Sequence, residues 1–275
     1  MRGIALRWLA VAALAGCSSN PITGRSQLMM VSEDTAVKES ASAYVQMMGQ
    51  LNGKHQIESG TPRVQKVVEI TDRLIAQAIR LRPASRSWKW EVQVINDPNT
   101  VNAFCMAGGK MAIYAGMWDK LHATDDEIAM VMGHEISHAL ADHTRERMSV
   151  AYSTGIGAQV LAIAVGAGDL GAQMMQRAAV YAIQLPNSRE SESEADQIGI
   201  ELAARAGYDP KAAVTLWDKM GGLGGTPPEF LSTHPSPQHR AARLKELGAK
   251  VQPLYEAARA NPQPAPRSVN TAAAR

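Results

Sequence analysis

Apolar residues recur at helical spacing over 62–81, where Val64, Val67, Val68, Thr71, Leu74, Ile75 and Ala78 share one stripe. Thr61 ahead of Pro62 offers an N-cap and a first helical residue, so this stretch predicts a helix that buries one face. A weaker pattern predicts another helix over 32–50. At 88–95, "WKWEVQVI", the period changes: Trp88, Trp90, Val92 and Val94 alternate with Lys89, Glu91 and Gln93, as in a half-buried strand. "NDPNTVNAF" reads as a loop, and "GGKMAIYAGM" at 108–117 as a second strand whose Gly108-Gly109 start permits close backbone approach. Thr124 and Glu127 have capping-box spacing and open a helix expected to run to about residue 147. Further helices are expected over 188–206, over 210–220 behind Asp209-Pro210, and from Pro237 to Gly248. The pattern predicts an α+β fold, a mostly helical single domain with a small sheet.

The central helix carries "HEISH", residues 134–138. His134 and His138 are four apart, which puts both imidazoles on one helix face, close enough to share one zinc ion. Glu135 lies about 100° around from His134, within reach of a metal-bound water without being a ligand. Ile128, Val131, Met132 and Ile136 make the same helix amphipathic. A catalytic zinc takes a third protein ligand and keeps one open position.

"RESESEAD", residues 189–196, is where that ligand is expected. With Glu192 set at 0° and steps of about 100°, Ala195, Ile198, Gly199 and Leu202 form the buried side. Glu192 and Asp196, about 40° apart, border that side, whereas Glu190 and Glu194 fall on the wet face with Gln197 and Glu201. Glu192 is therefore the expected ligand. Asp196 suits an outer role, accepting the distal N–H of one zinc histidine, with a buried ion pair to Arg240 as the alternative. His143 falls near the far side of a continuous helix from His134. It is expected, with His55, His122 and His239, to be surface or structural.

Composition adds limits. The net charge of +2 gives no strong pull toward nucleic acid, and the 45% hydrophobic content of 275 residues is that of an ordinary globular chain. Arg2 and Arg7 precede the short apolar run "WLAVAALAG", and "LAGC" ends it at Cys17, resembling a bacterial lipobox. That resemblance implies removal of 1–16 and lipidation of Cys17; Ser18 after the cysteine suggests sorting to the outer membrane. Residues 17–30 read as a tether, 31–250 as the folded domain and 251–275 as a disordered Pro/Ala-rich tail. With Cys17 lipidated, Cys105 has no disulfide partner. The apolar Gly/Ala-rich run at 153–168 is short for a membrane span and suits a plug or partner surface.

"MGHEISHALADH", "NSRESESEADQIG" and "STHPSPQHR" together resemble zinc metallopeptidases related to the CAAX prenyl protease, the group of HtpX, BepA and LoiP. The resemblance spans roughly 20–248. It implies one zinc ion on His134, His138 and Glu192, with Asp196 and Arg240 behind them and Glu135 as general base. It further implies that Gly109, Lys110, Met111, Ala112 and Ile113 form an active-site edge strand that captures unfolded or extended protein substrates. His234, in "HP" ahead of Arg240, is implied to approach the metal, either stabilising the oxyanion or acting as a fourth ligand that holds the enzyme latent. The expected function is a zinc metalloendopeptidase acting on envelope proteins. The rival is a latent or chaperone-like lipoprotein of the envelope assembly machinery.

Overall fold

The computed structural model describes residues 17–153, 186–223, 228–235, 240–262 and 269–270. The expected signal peptide at 1–16 and all but the first residue of the 153–168 run lie outside the described residues.

Two helices open the domain, α1 (Glu33–Gly53) and α2 (Pro62–Leu81), the second starting where Thr61 accepts from the Val64 amide. A three-stranded sheet follows, built from β3 (Glu91–Ile95), β4 (Ala103–Met106) and β5 (Lys110–Tyr114). Its order is β3-β5-β4, with β3 parallel and β4 antiparallel to β5. Then come the short α3 (Gly116–Asp119), α4 (Asp125–Leu140) and α5 (His143–Ser153). Past a stretch outside the described residues lie α6 (Arg189–Arg205), α7 (Ala212–Gly222), the one-turn α8 (Glu229–Thr233) and α9 (Arg240–Ala260). This is the α+β architecture with a small sheet that the periodicity predicts.

The sheet departs from expectation in three ways. β3 is buried on both faces, not half-buried. Val92 and Val94 pack with Met111, Ile113 and α2, while Ile95, Phe104 and Ala112 face Tyr44 and Met48 of α1. Because α1 covers the second face, Glu91 is buried and pairs with Lys110 at 3.0 Å. Part of the supposed loop before Gly108 is strand β4. And β5 is the central strand: Gly109–Ile113 is not an edge, because the ladders to β3 and β4 occupy its backbone groups on both sides. Among the described residues, the sheet edge beside the site belongs to β4. The glycine start behaves as expected, since Gly108 and Gly109 both have φ of 78° and a Cβ on Gly109 would collide with the Trp90 ring.

The long helix expected to reach about 147 is broken. The capping box of Thr124 and Glu127 opens α4 as predicted, and three acidic residues in its first turn complement the helix dipole. After Leu140 the chain turns at Asp142, whose φ is 58°. Aspartate tolerates this left-handed geometry better than most residues, and Arg82 secures it with bonds to Leu140 O (2.7 Å) and Asp142 Oδ1 (2.9 Å).

The ends of the described chain are also more ordered than expected. The supposed tether forms a hairpin, β1 (Cys17–Ser19) against β2 (Ser26–Leu28), with Gly24 in its turn at φ 75°. Asn20 and Gln27 both donate to Ala141 O, fastening the hairpin to the end of α4. The last helix runs past Gly248 to Ala260, so the segment expected to be a disordered tail begins as helix. Beyond it, Asn270 lies on the outer side of β3, donating to Trp90 O and accepting from the Val92 amide, both at 3.0 Å. Among the described residues no helix is long and apolar enough to cross a membrane.

Candidate metal centre

α4 and α6 cross at a pair of glycines. A Cβ on Gly199 would come within 2.7 Å of the His134 amide nitrogen, and one on Gly133 within 2.8 Å of Gly199 O. Backbones this close set the first turns of α6 against the "HEISH" turns of α4. Ser188 caps α6 by accepting from the Ser191 amide, so Glu192 enters the core at the start of a well-formed helix.

Four donor residues converge there: His134, His138, Glu192 and His234, all buried, with their ligand atoms within 4.8 Å of one another. His134 Nε2 lies 3.0 Å from His138 Nε2, 3.3 Å from His234 Nδ1 and 3.4 Å from a Glu192 oxygen. His138 Nε2 is 3.3 Å from the other Glu192 oxygen. These separations approach the ~3.3 Å edges of a tetrahedron with zinc–ligand bonds of about 2.0–2.1 Å. His134 Nδ1 faces Asp196 Oδ1 at 3.2 Å, which fixes the ring proton there and leaves Nε2 as a lone pair aimed at the centre. Two imidazole nitrogens 3.0 Å apart with no proton between them repel, and a cation at the middle of the four donors relieves that. The donor set of three imidazoles and one carboxylate fits zinc.

The electrostatics agree. Burial works against charging His134, yet the Glu192 carboxylate and the bonds to Asp196 and Glu192 raise its pKa to about 9. Burial would push Glu192 up, but His234, His134 and His138 hold it far below the usual carboxylate range. The carboxylates thus favour positive charge at His134, whereas burial lowers the His138 pKa well below its ordinary value. Glu135 is buried and its pKa is raised, chiefly by desolvation. Its Oε1 has no hydrogen-bond partner among the described residues and lies 3.4 Å from His234 Nε2. A carboxylate without a hydrogen bond on that oxygen, beside a candidate metal-ligand cluster, is placed to handle protons.

Most of the helical-wheel assignments stand. Glu192 and Asp196 are buried and Glu190 is exposed. Arg240 is not an alternative to the histidine contact but an addition: Nη1 donates to Glu192 Oε2 at 2.9 Å and Nη2 to Asp196 Oδ1 at 2.6 Å, while its guanidinium stacks on Trp217. His234 sits directly after α8, stacked on Phe230, and joins the donor set. Two placements fail, although His143 remains structural as expected. Glu194 is not a solvated carboxylate, since it bonds His143, Arg25 and Thr23. His143 is buried against His138, because the break at Asp142 turns it back toward the centre. His55 and His122 are exposed as expected, and His239 lies outside the described residues. A cleft between the β4 edge and the centre is lined by Cys105, Tyr114, Glu135, His234 and two residues that sequence reasoning did not single out, Arg147 and Glu229. Burial lowers the Arg147 pKa to about 10.

A helix-borne HExxH pair completed by a glutamate from a second helix defines a metal centre of the glutamate-liganded metallopeptidase class. A model of peptidase family M48 matches residues 62–248, and the chain belongs to that family. It is 33% identical over 229 residues to the mitochondrial metalloendopeptidase OMA1 of Schizosaccharomyces pombe, covering 82% of this chain and 65% of that one. It is 38% identical over 166 residues to the mitochondrial metalloendopeptidase OMA1 of Arabidopsis thaliana, covering 60% and 33%. Over 164 residues it is 28% identical to the beta-barrel assembly-enhancing protease of Escherichia coli, covering 56% and 34%. The chain thus spans from about a third to 65% of the length of these curated relatives.

Proposed function

We propose that the protein is a zinc-dependent metalloendopeptidase that cleaves extended segments of misfolded or unassembled envelope proteins. The observation that carries this reading is the quartet of His134, His138, Glu192 and His234, with the buried carboxylate of Glu135, whose Oε1 has no hydrogen-bond partner among the described residues, beside it. Zinc held by His134, His138 and Glu192 would supply Lewis acidity, activating water and polarising the scissile carbonyl. Glu135 takes the proton from the attacking water and delivers it to the leaving amine. Its raised pKa suits a group that must both accept and release a proton.

The substrate lies along β4, not β5. The Tyr114 amide donates to Asn102 O, so alternation turns the backbone groups of Ala103 and Cys105 toward the cleft. An extended peptide adds to that edge as a further strand. Lipidation at Cys17, anchoring at the outer membrane and work on the periplasmic side remain part of the proposal, on the strength of "LAGC".

A second reading has its own observation. His234 Nδ1 stands 3.3 Å from His134 Nε2 and 2.9 Å from Glu192 Oε1, at the fourth vertex that an active centre leaves to water. A protein resting in that arrangement is latent, and its cleft serves binding or assembly until His234 leaves.

The full-length chain, zinc-loaded, is to be incubated with casein beside its Glu135→Gln variant, with zinc content measured in both. Cleavage by the wild type, reduced about 10²–10⁴-fold in the variant with zinc retained, supports the peptidase reading. Equal cleavage by both overturns the role of Glu135. No cleavage by either, with zinc and casein bound, favours the latent reading.

A further inference from the structure

His138 is held by a chain of contacts that ends in the N-terminal hairpin. His138 Nδ1 lies 2.8 Å from His143 Nδ1, and His143 Nε2 lies 2.9 Å from Glu194 Oε2. A carboxylate only accepts, so the His143 proton sits on Nε2 and its Nδ1 is a lone pair. The contact at 2.8 Å then requires the His138 proton on Nδ1, which leaves His138 Nε2 free for the metal. Reversing any link would put a proton on the nitrogen that faces the donor cluster. Glu194 is in turn fixed by Arg25, whose Nε donates to Oε2 at 2.9 Å, and by the Thr23 hydroxyl. The other side of the Arg25 guanidinium makes a two-point contact with Glu146 of α5, Nη1 to Oε1 at 2.9 Å and Nη2 to Oε2 at 2.7 Å. Gln27 of β2 joins Glu146 to Ala141 O, tying the hairpin to both helices whose junction presents His143.

We propose that Arg25, Glu194 and His143 are positioning residues for the metal centre, and that through them the N-terminal hairpin sets the tautomer and orientation of His138. The segment that precedes the M48 match at residue 62 is thereby a working part of the site and not a spacer. This rests on reading the donor quartet as a zinc centre.

The test uses the full-length chain and the metal alone. Zinc affinity is measured by competition with a chromophoric chelator for wild type, Glu194→Gln, Arg25→Met and the exposed control Glu190→Gln. Absorption of the cobalt-substituted proteins reports the geometry of the centre, and thermal melts without metal check folding. The expected result is a loss of about 10-fold for Glu194→Gln and about threefold for Arg25→Met, in or just below the range for outer partners of metal ligands. Altered cobalt bands are expected in both and neither change in Glu190→Gln. Folded Glu194→Gln and Arg25→Met proteins with unchanged affinity and cobalt bands would overturn the proposal while leaving the zinc centre intact. Failure of the wild type to bind zinc would overturn the reading beneath it as well.

Discussion

His134 and His138 sit one turn apart on the same helix, yet opposite ends of the chain hold them. Behind His134 stand Asp196 and then Arg240, the latter at the start of the last helix, stacked on Trp217. Behind His138 stand His143, Glu194 and then Arg25, from the first hairpin. The first support is compact: one buried carboxylate shared by a histidine and an arginine. The second passes through an extra imidazole and ends on a partly exposed guanidinium. The same local motif thus receives a stiff backing on one side and a longer, wetter one on the other. Charge-assisted bonds lose strength as water reaches them, so the supports should not matter equally.

The largest effect is expected at the carboxylate between the two supports. Glu192→Gln keeps an acceptor for Arg240 but removes the anionic ligand, and zinc affinity should fall more than about 100-fold, beyond the loss usual for outer partners. Glu190→Gln on the exposed side of the same helix should leave chelator competition unchanged. Asp196→Asn comes next, with an expected loss of about 10–100-fold. If it weakens zinc no more than Glu194→Gln does, the two supports are equivalent. The smallest effect concerns the scaffold that both supports need. Gly199→Ala places a Cβ against the His134 backbone and should cost about 1–3 kcal/mol, read from the urea midpoint. An unchanged midpoint would mean that α4 and α6 can part without penalty.

Much of this was legible from periodicity. The α2 stripe, the capping box at Thr124 and the inward pairing of Glu192 with Asp196 depend on angles between residues a few positions apart, and local helical geometry supplies those. The strand assignments fared worse. The ten-residue segment at 108–117 contains a strand, but no local pattern says that β5 receives neighbours on both sides or that β4, hidden in a loop-like composition, takes the edge. Glu194 lies on the face where its own helix puts it, but the N-terminal hairpin and His143 cover that face, while His143 was misplaced for another reason. A wheel drawn through 125–147 assumes an unbroken helix, and one left-handed residue, Asp142, invalidates it. Alanine-aspartate is not a strong stop signal, and the arginine that secures the turn comes from α2.

By itself the sequence determined the proposed reactive set: His134, Glu135 and His138 on a capped helix, and a carboxylate one face of α6 must bury. These follow from spacing of about 3.6 residues per turn and from the cost of hiding unpaired charge. Only the tertiary structure decided which strand lines the cleft, which residues steady His138, and that the N-terminal hairpin reaches the centre. Those outcomes depend on strand pairing, on two glycines that let helices touch, and on ion pairs between segments more than 100 residues apart. Such contacts form when the chain packs, and no pattern in a short window encodes them.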